Sequence, residues 1–278
     1  MLIHCWGSRG GLPVSGKEFL KYGGDTTCME IQTNSGERII IDAGSGIRHL
    51  NQISLKENPH IHLIFTHFHL DHIIGFPFFK PLYTNEAQIS IYGYPFTGKG
   101  VRHTLEKIIN EPFFPAKLSN IPSNVTYIDI DLKPFTIGSV TITPVNLNHP
   151  NGGLGFRFEE NGKSFVFMTD NELGRKYPDG EKFETYVDFC SYADLLLHDA
   201  EFDSTEYPHF KGWGHSKLND VVKLAHQAQV DQLGLFHINA QRTDDQMDLF
   251  TETAQEYLRT HCSSTECFAV GTGFEIEL

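Results

Sequence analysis

The 278-residue sequence predicts an α+β protein built on sheets. Three observations carry this. Short apolar or alternating runs recur along the whole chain, and glycine, asparagine and proline turns separate them. Longer stretches with apolar residues at helical spacing are few and fall between those runs. No linker, low-complexity segment or repeat divides the chain, so one domain over residues 1–278 is expected. Hydrophobic residues at 40% and charged residues at 21% suit a globular protein with a sizeable core.

Residues 2–6 read as the first strand, followed by the glycine-rich loop Gly7-Ser8-Arg9-Gly10-Gly11-Leu12-Pro13. The loop lacks the lysine of a phosphate-cradling loop and the spacing of a dinucleotide fingerprint, so it is expected at the rim of a site. There Arg9 would either meet an anionic substrate group or stand solvated at the surface. A second turn-rich loop, residues 22–28, feeds a strand at 29–33. Ser35-Gly36 is a hairpin turn, and the strand 38–41 returns from it. That strand ends in Asp42. A carboxylate at the end of an apolar strand is costly to bury without a partner, so Asp42 either holds another functional side chain or caps the segment from Ser45.

The apolar run 60–65 reads as a buried strand and delivers the densest chemistry in the chain, Thr66-His67-Phe68-His69-Leu70-Asp71-His72. Three imidazoles and a carboxylate within six residues, on a loop after a strand, point to a metal. Nitrogen and oxygen donors without thiolate favour zinc, with manganese and iron also suited. A helix is expected to begin near Asp71.

Beyond it, residues 73–79 and 112–115 are rich in phenylalanine and proline, and read as core, a lid or a subunit contact. A strand at 89–92 and a helix at 101–109 lie between them. Strands follow at 125–130 and 140–145, the latter running into His149-Pro150. Alone, His149 reads as structural. Strands 153–158 and 164–168 form a hairpin through Asn161-Gly162 and lead to Asp170. The strand 193–197 ends in His198-Asp199-Ala200-Glu201. Gly214-His215-Ser216 opens a helix at 217–229, whose Leu218, Val221, Val222 and Ala225 share one face. The strand 232–236 delivers His237. An amphipathic helix spans 244–259, and residues 271–276 close as a last strand.

The His67-x-His69-x-Asp71-His72 string resembles the signature of the metallo-β-lactamase-fold hydrolases. The His198-acid-Ala segment, the Gly-His-Ser opening of a helix and the strand ending in His237 are similar to the ribonuclease Z and phosphodiesterase branch. The N-terminal Gly-Ser-Arg-Gly and Tyr-Gly-Gly-Asp-Thr segments resemble bacterial phosphodiesterase-like members. The resemblance covers essentially the whole chain. It implies a four-layer αββα sandwich with two divalent metal ions. His67, His69 and His149 would hold the first ion and Asp71, His72 and His237 the second, with Asp170 and a solvent-derived hydroxide bridging them. Asp42 and His198 would stand behind the ligands and orient them. Asp71 and His215 would act on the reaction, with His215 assisting the leaving group, and Ser216 would join Arg9 as a substrate contact. An aspartate at position 170, where zinc β-lactamases carry cysteine, argues against lactam hydrolysis.

The resemblance therefore implies a phosphodiesterase for a small cyclic or linear phosphodiester. The alternatives are a thioester or lactone hydrolase of glyoxalase type, or a non-catalytic cofactor-binding member. Two features argue against extensive nucleic-acid binding. The net charge is −13, whereas phosphate-backbone binding relies on many Lys and Arg. The interval from His149 to Asp170 also leaves no room for the long tRNA-gripping arm of ribonuclease Z. No signal peptide and no apolar run of membrane-spanning length is visible. Five scattered cysteines suggest reduced thiols and a cytoplasmic location. The resemblance also admits a homodimer.

Overall fold

The computed structural model describes residues 1–56, 58–95 and 98–278. Its strands are β1 Leu2–Gly7, β2 Cys28–Gln32, β3 Arg38–Ile41, β4 His60–Ile64, β5 Gln88–Gly93, β6 Asn124–Asp129, β7 Phe135–Ile137, β8 Val140–Asn146, β9 Leu154–Glu160, β10 Lys163–Met168, β11 Leu195–Asp199, β12 Gln232–Phe236, β13 Glu266–Ala269 and β14 Glu275–Glu277. The helices are α1 Leu70–Ile73, α2 Val101–Ile108, α3 Phe183–Cys190, α4 Tyr207–Phe210, α5 Leu218–Ala228 and α6 Asp244–Thr260, with 3-10 turns such as Ser45–Gln52 between them.

The strands form two seven-stranded sheets, ordered β14-β1-β2-β3-β4-β5-β6 and β13-β12-β11-β10-β9-β8-β7. Each is half antiparallel and half parallel. In the first, β3 to β6 run parallel; in the second, β10 to β13 do. Side-chain alternation along the strands then builds three apolar layers. Phe165 and Phe167 of β10 face the first sheet and pack with Ile31, Ile41 and Ile64. Val166 and Met168 of the same strand face outward, against Val221, Val222, Met247 and Phe250 of α5 and α6. On the far side, Ile61 and Leu63 of β4 pack with Ile47, Leu50, Val101 and Leu105. The result is the expected αββα sandwich.

Four of these strands and helices, β7, β13, α3 and the four-residue α4, have no counterpart in the sequence reading. β7 and β13 are short edge strands, where periodicity has too few residues to show. Helix α3 follows a Gly- and Pro-rich stretch and has no side-chain cap at its start, so it lacks the usual local signal. Ser45–Gln52 forms as a 3-10 helix whose cap is Gly44, without a side-chain cap bond. Asp42 therefore does not serve as its cap. α6 carries a full capping box, with Thr243 and Gln246 bonding reciprocally.

Candidate metal centre

The chemistry gathers where the parallel strands of both sheets end. Asp42 follows β3, the His67-to-His72 loop follows β4, His149 follows β8, Asp170 follows β10 and His237 follows β12. This is the edge at which open α/β sheets place their ligands. Asp42, Asp170 and His237 all sit in the left-handed region, at φ 62°, 54° and 54°. Each uses the reversal to swing its side chain off the strand axis into the crevice, at a backbone cost L-residues seldom bear.

Two ligand groups result. One comprises His67, His69, His149 and Asp170; the other comprises Asp71, His72, Asp170 and His237. In each, the donor atoms lie within 4.8 Å of one another. Asp170 belongs to both and divides its oxygens between them. Oδ2 lies 3.5 Å from His67 Nε2 and 3.7 Å from His149 Nε2. Oδ1 lies 3.2 Å from His72 Nε2 and 3.3 Å from His237 Nε2. His67 Nε2 and His72 Nε2 are buried and make no hydrogen bond. Buried imidazole nitrogens aimed at carboxylates without bonding them are what a pair of divalent cations would satisfy. The residues present fit two such ions.

The outer ring nitrogens are held from behind. His72 Nδ1 bonds Asp42 Oδ2 at 2.8 Å, and Asp42 also accepts from the Thr66 amide and hydroxyl. His149 Nδ1 donates to the Gly214 carbonyl, His237 Nδ1 bonds Glu201 at 3.2 Å, and Gly11 N donates to Asp71 Oδ2. Such partners fix tautomer and ring orientation. Two glycines make room for the rings. A Cβ at Gly10 would fall 2.3 Å from the His237 ring, and one at Gly214 would fall 1.9 Å from His149 Nδ1.

The electrostatics differ between the two groups. Burial, with other imidazoles nearby, pushes His67 well below its ordinary range and His149 down to about 4. Both are therefore neutral, which is the ligand form. Burial also opposes charge on His72 and His237, but the carboxylates of Asp170 and Asp71 outweigh it and raise both. Burial opposes the charge of Asp170 as well, yet the surrounding imidazoles hold it well below the usual carboxylate range.

His215 stands beside the second group. Its Nδ1 bonds Asp199 Oδ2 at 2.9 Å and lies 3.4 Å from Glu201. Burial works against its charge, but Glu201, Asp199 and Asp170 push it up to about 9. His198 is buried behind it. It takes a bond from Asn171, donates to the Asp199 backbone carbonyl and lies 3.3 Å from the Asp199 carboxylate. It thus supports Asp199, not a ligand histidine.

Two expected substrate contacts lie elsewhere. Arg9 is 0% exposed. Its guanidinium donates to the carbonyls of Gly23, Asn239 and Arg242 and lies over the Phe19 ring. It locks the glycine-rich loop to the C-terminal half, because a buried arginine needs acceptors and backbone carbonyls supply them. Ser216 is also buried; its hydroxyl donates to Asn171 O and accepts from Leu173 N. The phenylalanine-rich segments do not roof the centre either. Phe78 and Phe114 pack edge to face on each other, and the wall of the cavity is built by Phe202, Phe210 and Trp213.

Sequence reasoning missed Asp199, Glu201 and Glu172. The fully buried Glu172 accepts from the hydroxyls of Tyr177 and Tyr207 and the amides of Gly212 and Gly214. It thereby sets the loop that carries His215. Its local signal was present: a carboxylate two residues after Asp170, at the end of an apolar strand. A third grouping, Glu37, His60 and His62, lies at the opposite end of β4. There hydrogen bonds to Tyr92 and Glu37 account for both nitrogens of His62.

Residues 37–238 match the beta-lactamase superfamily domain, and the chain belongs to that family. A ribonuclease Z of Staphylococcus carnosus is 25% identical over 261 residues, covering 78% of this chain and 84% of the relative. Among solved structures, the metallo-beta-lactamase fold protein YhfI from Bacillus subtilis superposes with a TM-score of 0.73. It is 18% identical, and the match covers 100% of this chain and 98% of that one. Human tRNase Z, short form, superposes with a TM-score of 0.67 at 18% identity, over 100% of this chain and 99% of that one. The relatives place the chain in the ribonuclease Z and phosphodiesterase-like branch.

They also correct one expectation. A small substrate with little nucleic-acid contact does not accord with relatives that are named for RNA and span most of the chain. Net charge sums the whole surface, whereas substrate meets one crevice, where bound cations dominate the local field. Among the described residues no helix is long and apolar enough to cross a membrane.

Proposed function

We propose that this protein is a metal-dependent phosphodiester hydrolase that works with two divalent cations, zinc by preference, and that its substrates include RNA. The observation that carries the reading is Asp170, whose two oxygens face two separate sets of imidazoles. The ribonuclease Z relatives supply the substrate class. His67, His69 and His149 would hold one cation, Asp71, His72 and His237 the other, and Asp170 both. Such a pair supplies Lewis acidity toward phosphoryl oxygens and lowers the pKa of a shared water.

The chain's own residues do the rest. Asp42, Glu201 and the Gly214 carbonyl keep the imidazoles in register. His215, anchored through Nδ1 to Asp199, keeps Nε2 for the substrate and carries a proton there to give to the departing alkoxide. The five cysteines are free thiols, four of them buried, in keeping with a reducing cytoplasmic setting.

The test is turnover of a 3′-extended RNA and of bis-(p-nitrophenyl) phosphate by metal-loaded protein, with cyclic nucleotides alongside. His69→Ala should lose metal and turnover together. His215→Ala should keep its metal while turnover falls about 10²–10⁴-fold. Protein shown to hold two equivalents of metal that cleaves none of these would redirect the reading to thioester or lactone hydrolysis.

A further inference from the structure

An exposed tryptophan stands at the mouth of the metal centre on a loop too well anchored to be incidental. Trp213 is 63% exposed. It lies between Gly212 and Gly214, at φ 95° and 92°, and the amides of both glycines donate to the buried Glu172 carboxylate. Phe210 meets the indole edge to face at 5.6 Å, and Phe202 stacks beneath Phe210 at 4.7 Å. Phe202 in turn contacts the His215 ring. The aromatic series thus runs without a break from the proton-donating histidine to the surface. Trp213, Phe210 and Phe202 line the same cavity as His69, Asp71 and Asp170. A neighbouring cavity shares Phe210 and Asn239 and continues to Gln241 and Gln246.

We propose that Trp213, backed by Phe210 and Phe202, is a stacking platform for the nucleobase flanking the scissile phosphate. The proposal rests on the phosphodiester reading. A buried carboxylate fixes the backbone on either side of this indole and Phe210 packs against its ring, so part of the cost of ordering a binding surface is already met. In a nucleic acid a base lies one sugar away from each phosphate, so a phosphate at the ligand cluster brings a base to this wall. Every base has a π-face, so stacking is tolerant of sequence. The described residues that line this cavity include no lysine or arginine to neutralise a phosphate backbone, which suits hold through the base.

The experiment uses metal-free and metal-loaded full-length protein in a Trp6→Phe background, so that indole fluorescence reports Trp213 alone. Adenosine 5′-monophosphate should quench that fluorescence saturably, and ribose 5-phosphate should not. In turnover, Trp213→Ala should raise KM for a dinucleotide about 5- to 100-fold and leave an abasic phosphodiester unaffected, and Trp213→Phe should restore most of the loss. Equal quenching by the two phosphates, or equal KM changes for dinucleotide and abasic substrate, would overturn the platform while leaving phosphodiester hydrolysis standing. Failure of the loaded protein to cleave either substrate would instead remove the reading beneath it.

Discussion

The candidate ligands His67, His69, Asp71, His72, Asp170 and His237 were legible because each is a chemically active side chain stranded at or just after the end of an apolar run. His149, which alone reads as structural, took its place only from the family resemblance, so the local signature has limits. Arg9 and Ser216 show where it stops. Both lie in polar, glycine-bearing stretches and were expected as substrate contacts, yet both are buried by partners far away in sequence; Arg9 bonds carbonyls of Asn239 and Arg242. Asp25 is another case. It is buried, and accepts from Ser45 Oγ, from Nε and Nη2 of Arg48 and from His49. Burial opposes its charge, but Arg48, His49 and Ser45 together lower its pKa. A carboxyl depressed in the folded state stabilises above its unfolded value of about 3.9 and loses that contribution as pH falls through the folded value. Arg48 is largely exposed, so the ion pair is screened. Asp25→Asn should therefore cost about 1–2 kcal/mol at pH 7, shrinking toward zero below pH 4. Urea midpoints for both proteins between pH 3 and 7 would check this, and a difference independent of pH would assign the effect to packing.

At the scale of elements, strands and the two long amphipathic helices could be read because period two and period 3.6 need only local sequence. What periodicity does not carry is the loop of residues 212–216, where one short segment does four jobs. Trp213 faces the cavity mouth, Gly214 O receives His149, His215 bonds Asp199 and Ser216 bonds Asn171. Its shape depends on Glu172, which comes from the end of β10 and so is invisible to any window on the loop itself. Glu172→Ala would leave two tyrosine hydroxyls and two amides without an acceptor, at about 2–4 kcal/mol. Glu172→Gln keeps one acceptor oxygen and should cost less. Chemical denaturation should rank the proteins wild type, Gln, Ala, with the Ala variant also losing the first metal through His149. An Ala variant with full stability and two metals would show that the loop holds its shape without Glu172. The same reasoning predicts that Gly214→Ala, strained at positive φ and crowded against His149, weakens metal binding more than its distance from any charge suggests.

For the whole molecule, the α+β class followed from periodicity and the four-layer arrangement from the family resemblance, whereas the substrate class did not follow from net charge. Charge of −13 is a property of the entire surface; the crevice is a property of two strand edges meeting. That meeting has a thermodynamic consequence. His67, His69, Asp71 and His72 leave the first sheet, and His149, Asp170 and His237 leave the second. Bound cations would therefore join the sheets across their shared edge, and they would bind the folded state alone, since the unfolded chain scatters these residues over more than half its length. By linkage, a ligand present at 1,000 times its dissociation constant adds about 4 kcal/mol. For a chain of this size each kcal/mol moves Tm by about 2–4 °C. Stripping the protein with a chelator should then lower Tm by about 8–16 °C, and adding back Zn²⁺ should restore it. Asp170→Asn should show a much smaller response, because the oxygen shared by each pair of imidazoles is weakened at both positions at once. Calorimetric scans of the two proteins, each with and without chelator, separate this from a general effect of chelation: an equal drop in both would mean that the cations act outside the cluster around Asp170.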